Sequence, residues 1–198
     1  MAAFDPSAIT AAILSGGEGR RVGGADKGLL SLAGRPLVAH VVAALRGQVG
    51  QIVICANRNA DRYVQFAPVI ADGGSGFRGP LAGIAAALRA CSGEWLLTVP
   101  VDCPHPPRDL AVRLHDAALA ENRDVAVVYD GTRVQPMFAL YQSTLAANAE
   151  HALRKDMPVV RWQQSLNRAL VDYSTRTPEF GNLNTPEEFR QWEQAAHG

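Results

Sequence analysis

The feature that most constrains this chain is its alternation of two hydrophobic periods. Short apolar runs end in Gly, Asp or Pro, and most are followed by a stretch whose apolar residues fall on one helical stripe. Residues 9–14 form the first such run, closed by Ser15-Gly16-Gly17. Pro36 then opens a helix striped by Leu37, Val38, Val41, Val42 and Leu45, and Gly47 closes it. Residues 51–56, around Ile52-Val53-Ile54, predict a second strand. Residues 61–66 predict a short helix, and Val69-Ile70 ends a third strand at Asp72. Pro80 starts another striped helix, and residues 95–101 form a fourth strand. That strand is cut off at Asp102 by a turn rich in proline (Pro104, Pro106, Pro107).

A helix over 108–120 follows, then strands over 125–129 and 134–141 joined by Asp130-Gly131 as a hairpin. Thr185-Pro186-Glu187-Glu188 supplies an N-cap, a proline at the first helical position and a glutamate three residues on, which is a capping box for the last helix. Strands alternating with helices predict a Rossmann-like, three-layer αβα fold, its central sheet mainly parallel with an antiparallel edge. Residues 1–198 read as one domain.

Composition narrows the function. Hydrophobic residues are 47% and charged residues 19%, a globular balance, and 19 basic residues match 19 acidic ones. A net charge of zero argues against a nucleic-acid or membrane binder. The three cysteines, with no C-x-x-C pair, form neither a disulfide framework nor a zinc site of known spacing, and point to a reducing cytoplasm. The apolar run near the start is too short to cross a membrane.

In α/β sheets ligands bind beyond the carboxyl ends of the strands. Residues 15–27, Asn57-Arg58, residues 72–83 and Asp102 fall there. The first stretch, Ser15-Gly16-Gly17-Glu18-Gly19-Arg20-Arg21-Val22-Gly23-Gly24-Ala25-Asp26-Lys27, combines glycines that let backbone N–H groups approach an anion with Arg and Lys charge. It reads as a triphosphate loop or, more blandly, as a solvated basic loop. It is expected to be mobile over 18–25 without nucleotide. It is neither a Walker A loop, since Gly28 follows Lys27 where Ser or Thr is needed, nor a dinucleotide fingerprint, since Val22 stands at the final glycine. Asp102 reads as a ligand for a hard cation or as a turn-forming cap, and Asp72 as turn or ligand. His40 and His105 read as structural.

This loop resembles the L-x-G-G-x-x-x-R-M-G-x-D-K signature of nucleotidyltransferases with a glycosyltransferase-A-like fold. The extra Gly24-Ala25 step is similar to the spacing in the molybdenum cofactor guanylyltransferase (MobA) family. Further matches follow in order: Ala56-Asn57-Arg58, Gly79-Pro80-Leu81-Ala82-Gly83, Pro100-Val101-Asp102-Cys103-Pro104, Gln135-Pro136 and Asn182-Leu183-Asn184-Thr185-Pro186-Glu187. The resemblance implies an enzyme that moves GMP from Mg·GTP to the terminal phosphate of molybdenum-bound molybdopterin. It implies that Leu14, Ser15, Gly16 and Gly17 lie against the nucleotide, and that Arg21 and Lys27 hold its phosphates. Asp72 with Gly79, Pro80 and Leu81 would help seat guanosine, and Asp102 would bind Mg²⁺. Asn182 and Asn184 would meet the acceptor. Cys55 stands where relatives carry a nucleotide-binding Asn, and Val22 replaces the usual Met. Other cofactor-biosynthesis proteins and recipient molybdoenzymes are the further partners implied. The alternatives are a CTP-dependent or sugar-phosphate nucleotidyltransferase and a non-catalytic GTP-binding module.

Overall fold

The first strand and its partner in mid-sheet are apolar at nearly every position because both of their faces are covered. The computed structural model describes residues 4–16, 26–73 and 79–196. In chain order the elements are β1 (Ile9–Leu14), the hairpin β2 (Ser31–Leu32) and β3 (Arg35–Pro36), α1 (Leu37–Leu45), β4 (Gln51–Cys55), α2 (Ala60–Tyr63) and β5 (Val69–Ile70). Then come α3 (Pro80–Ala90), β6 (Trp95–Pro100), α4 (Leu110–Ala120), β7 (Val125–Tyr129) and β8 (Val134–Gln142). The chain continues through α5 (Ala146–Arg154), α6 (Val159–Gln164), β9 (Arg168–Asp172) and α7 (Pro186–Ala196).

Seven strands form one sheet in the order β5-β4-β1-β6-β8-β7-β9. The ladders β5–β4, β4–β1, β1–β6 and β7–β9 are parallel, while β8 runs against both β6 and β7. The sheet is therefore mainly parallel, as the alternation implies. Its antiparallel part is β8, which lies inside the sheet and not at its rim. The hairpin seats β8 beside β6, and β9 then adds in parallel to the outer side of β7. The sequence pattern misses α5, α6 and β9, since β9 leaves Leu170 exposed on an edge strand and carries no continuous apolar run.

Successive residues of β1 go to opposite layers. Ile9, Ala11 and Ile13 pack with Val38 and Val41 of α1 and Leu110 and Leu114 of α4. Ala12 packs with Leu81 and Ile84 of α3, in the layer that also holds Ala149 of α5 and Trp162 of α6. This is the three-layer arrangement. A smaller third cluster joins Leu32 and Leu37 to Leu183, Phe189 and Trp192, fastening α7 over the β2–β3 hairpin. Pro36 sits one position before the first turn of α1 as its N-cap, still paired to Ser31 in the hairpin. Among the described residues no helix is long and apolar enough to cross a membrane.

The predicted capping box is present. The Thr185 N–H donates to Glu188 Oε2 (2.9 Å) and the Glu188 N–H to Thr185 Oγ1 (3.3 Å). The Asp130 turn is also built as expected, with Gly131 at φ 95°. The Thr132 and Arg133 N–H groups both donate to Asp130 Oδ1 at 2.8 Å, and Gln135 Nε2 donates to Oδ2 at 2.6 Å. Burial pushes the Asp130 carboxyl up. The bonds from Arg133, Gln135 and Thr132 outweigh it and hold the group at about 2.

Candidate active site

The carboxyl ends of β1, β4, β5 and β6 lie side by side, because the four strands are parallel and adjacent. Leu14 ends β1 and is gripped from both sides. The Val101 N–H donates to its carbonyl (3.1 Å), and the next N–H, that of Ser15, donates to the Cys55 carbonyl (2.9 Å). This fixes where the chain leaves the sheet. Gly16 follows, and a Cβ built there meets nothing within 4 Å among the described residues. Gly17 and Arg21, expected at the nucleotide, lie outside the described residues, as does the 18–25 stretch expected to be mobile.

The chain returns at Asp26, which introduces a single 3₁₀ turn over Lys27–Leu29. Lys27 Nζ donates to Asp102 Oδ2 (2.7 Å) and to Asn184 Oδ1 (2.6 Å). Both members of the ion pair are about four-fifths buried, with side-chain exposures of 20% and 19%. Asp102 is held in turn from α7's side of the molecule, because the Leu183 N–H donates to its carbonyl (2.9 Å). Its second carboxylate oxygen, Oδ1, is buried and accepts no hydrogen bond among the described residues. A buried carboxylate oxygen without a donor is costly, and a hard divalent cation with oxygen ligands is a partner that satisfies it. The residues present fit such an ion at Asp102. Among the described residues no cluster of three or more His, Cys, Asp or Glu side chains surrounds it. A metal here would take most of its ligands from water and substrate.

A match to the model of the MobA-like NTP transferase domain spans residues 11–170, most of the chain, and takes in all or part of every strand of the central sheet. The chain belongs to the MobA-like NTP transferase family. It is a nucleotidyltransferase. The molybdenum cofactor guanylyltransferase of Photobacterium profundum is 40% identical over 183 residues, covering 92% of this chain and 94% of that protein. That of Shewanella putrefaciens is 41% identical over 189 residues, covering 94% and 97%. Among solved structures, molybdopterin-guanine dinucleotide biosynthesis protein A from Archaeoglobus fulgidus superposes with a TM-score of 0.78 at 23% identity, covering 95% of this chain and 98% of that one. The 2-C-methyl-D-erythritol 4-phosphate cytidylyltransferase of Thermus thermophilus superposes with a TM-score of 0.70 at 20% identity, covering 94% and 98%. These two likenesses concern the fold.

Within this MobA-like frame the remaining expected residues fall into two groups. Asn184 is brought onto Lys27, so it reaches the same point as Asp102. Asn182 is exposed, and its carbonyl accepts from Asn184 Nδ2 (3.4 Å). Gly79, at φ 74°, caps α3, and Pro80 occupies its first turn. The positive φ explains a glycine at that position. Asp72 lies beyond β5, with its N–H donating to Asn57 Oδ1 (3.1 Å). Two side chains face inward instead. Leu81 is 2% exposed and belongs to the core under α3, which leaves only its backbone for a ligand. The Cys55 thiol is buried and lies 3.5 Å from the Gly83 carbonyl, and burial with the Asp72 charge pushes it up to about 12. It is a packing group, not a nucleophile.

Four residues at this edge were not singled out for chemistry by sequence reasoning. The Tyr63 hydroxyl bonds Ser15 Oγ (2.5 Å) and Asp26 Oδ1, and Asn59 Nδ2 donates to Asp26 Oδ2 (2.9 Å). Glu188 Oε2 accepts from the Asn184 N–H (2.5 Å). The signal for Glu188 was available in the capping box. Tyr63 looks like an ordinary apolar residue of a short helix. His105 stacks on Trp192 (4.7 Å between ring centroids, 5° between planes), with the His40 ring edge-on to both, and this cluster secures α7.

Proposed function

We propose that this chain transfers GMP from Mg·GTP to the terminal phosphate of molybdenum-bound molybdopterin, releasing pyrophosphate. The observation that carries the reading is the junction of Lys27, Asp102 and Asn184 at the carboxyl edge of the sheet. The relatives at 40% identity or just above, named for that activity, support the choice of substrates.

The chemistry asks for charge control more than for a base. The nucleophile is a phosphate monoester oxygen whose second pKa, near ~6, leaves it mostly dianionic at neutral pH. A dianion must approach a triphosphate, so cationic and hydrogen-bond donor groups have to be placed where charge develops. Lys27 is assigned to the phosphates, and Arg21 is assigned beside it from the sequence. Asp102, with its unshared oxygen, would hold Mg²⁺, which when bound offsets triphosphate charge and orients the reacting phosphoryl group. The backbone of residues 14–17 is assigned to the nucleotide, along with Cys55 through its main chain. Asp72 and the start of α3 at Gly79, Pro80 and Leu81 are assigned to the guanosine. Asn182 and Asn184 are assigned to the acceptor. Residues 9–107 form the nucleotide-binding half and 108–198 the acceptor half, with Asn184 crossing to Lys27. We place the enzyme in the cytoplasm, where its cysteines stay reduced. Other cofactor-biosynthesis proteins and recipient molybdoenzymes are its partners in this reading.

The test is product formation by purified protein given molybdenum-bound molybdopterin, Mg²⁺ and GTP, CTP or ATP. Guanine dinucleotide and pyrophosphate should form with GTP in clear preference. Preference for CTP would make the chain a cytidylyltransferase, and no pyrophosphate with any of the three would leave a binding module.

A further inference from the structure

Tyr63 lies outside the residues assigned to substrate, yet its hydroxyl touches both ends of the phosphate loop. Ser15 stands at the start of that stretch and Asp26 at its end, and the two are joined through Tyr63 Oη. We propose that Tyr63 is a positioning residue whose hydroxyl clamps residues 15 and 26 together and so holds Lys27 at Asp102 before nucleotide arrives. This deepens the nucleotidyltransferase reading and rests on it.

The short helix α2 leaves β4 at the functional edge, entered through Asn59 in the left-handed region (φ 52°, ψ 35°). That entry turns Tyr63 inward, where its side chain is fully buried. A buried phenol needs hydrogen-bond partners for its oxygen, and this one has two. The carboxylate of Asp26 only accepts, so Tyr63 donates to it and accepts from the Ser15 hydroxyl. Burial and the neighbouring Asp26 carboxylate push the phenol well above its ordinary value, which keeps the donated proton in place. The Ser15 hydroxyl proton is then directed inward. Ser15 meets nucleotide with its backbone, and its side chain serves as a strut.

The backbone beyond Asp26 rests directly on this clamp. A Cβ added at Gly28 would run into the Tyr63 hydroxyl, and would stand 2.7 Å from Ser15 Oγ and 2.9 Å from Val101 Cγ2. Only glycine allows so close an approach, so the turn packs directly against the clamp. The Leu29 and Leu30 N–H groups, bonded to the Asp26 and Lys27 carbonyls (3.1 Å each), complete the turn that carries the lysine. Without the clamp the Asp26 end is held by Asn59 and by the bonds of Lys27 alone, and the ordering that is lost is charged to nucleotide binding. Once nucleotide is bound the same geometry is reached, so affinity changes and the chemical step does not.

Tyr63→Phe keeps the ring in the core and removes only the bridging oxygen, and two measurements test it. In ligand-free protein, amide hydrogen exchange at Leu29 and Leu30 should accelerate about tenfold, with β1 and β6 amides unchanged. By titration, Mg·GTP affinity should fall about tenfold, the size of one hydrogen bond to a charged group, with kcat within about threefold. In a Lys27→Ala background the same substitution should weaken binding less than about twofold, because the clamp acts through Lys27. Unchanged exchange at Leu29 and Leu30 overturns the proposal, as does an equal loss of affinity in both backgrounds. Wild-type protein that binds no nucleoside triphosphate would sink the functional reading, while the exchange measurement would still decide the clamp.

Discussion

Lys27 and Asp102 are 75 residues apart in the chain and 2.7 Å apart in the folded protein. Two strands bring them together, since β1 and β6 are parallel neighbours and each delivers its chain to the same edge. The pair neutralises itself while leaving Asp102 Oδ1 without a partner among the described residues. That is the pattern expected of a site whose full complement includes a cation and a polyanion.

Asp102→Asn should therefore abolish most transfer, by about 100-fold or more, because one negative ligand is lost where charge must be balanced. The change is isosteric, so the melting temperature should stay within about 4 °C of wild type. Transfer within about threefold of wild type, with unchanged Mg²⁺ dependence, would remove Asp102 from the metal role.

Much of this site is legible in the sequence because parallel strands write it in short local signals. Apolar runs ending at Leu14 and Val101 place Ser15 and Asp102 at one edge without any knowledge of the packing. The capping box at Thr185 and Glu188 is local in the same way. Tyr63 was not legible, since its importance depends on meeting Ser15 and Asp26, 48 and 37 residues away. Asn184 could be placed on the acceptor side by resemblance, but its bond to Lys27 spans 157 residues and needs the fold. Leu81 shows what the motif does not tell: its side chain belongs to the core, so its backbone alone is offered to a ligand.

The capping box gives a pH-dependent prediction. Bonds from the Asn184 and Thr185 N–H groups, with a smaller effect of the Lys27 charge, hold the Glu188 carboxyl below its ordinary 4.5. A lowered carboxyl contributes stability above its unfolded value, and that contribution is lost as pH falls through the folded value. The difference in melting temperature between wild type and Glu188→Gln should thus be constant near neutral pH and shrink below pH ~4. Glu188→Ala, which removes the acceptor of the Asn184 N–H altogether, should raise the KM for acceptor more than for GTP. An equal rise in both would mean that Glu188 only supports α7.

Asp130 offers a second acid-range test, remote from Lys27. Its carboxyl is held at about 2 against an ordinary 3.8, so the stability it contributes is complete above 3.8 and disappears on acidifying towards 2. Asp130→Ala strands the Thr132 and Arg133 N–H groups and the Gln135 amide, at a cost of about 2–4 kcal/mol. Chemical denaturation at neutral pH checks this. A loss below about 1 kcal/mol would show that water replaces the carboxylate in the turn.

Base selection can be tested at Gly16. A methyl group there meets nothing within 4 Å among the described residues, so Gly16→Ala should leave stability unchanged. Any loss of activity then reports on the ligand and not on the fold. If the space above Gly16 receives the purine, the substitution should impair GTP more than CTP. Exclusion of a bound base typically costs ~1–3 kcal/mol, or roughly 10–200-fold. The decisive quantity is the ratio of kcat/KM for the two nucleotides, because under the proposed assignment the segment at Gly79 and the start of α3 would still favour guanine and CTP use need not rise. An equal fall for both would assign Gly16 to the phosphates or to the loop backbone, and guanine selection would then rest on the Asp72 and Gly79 side of the site.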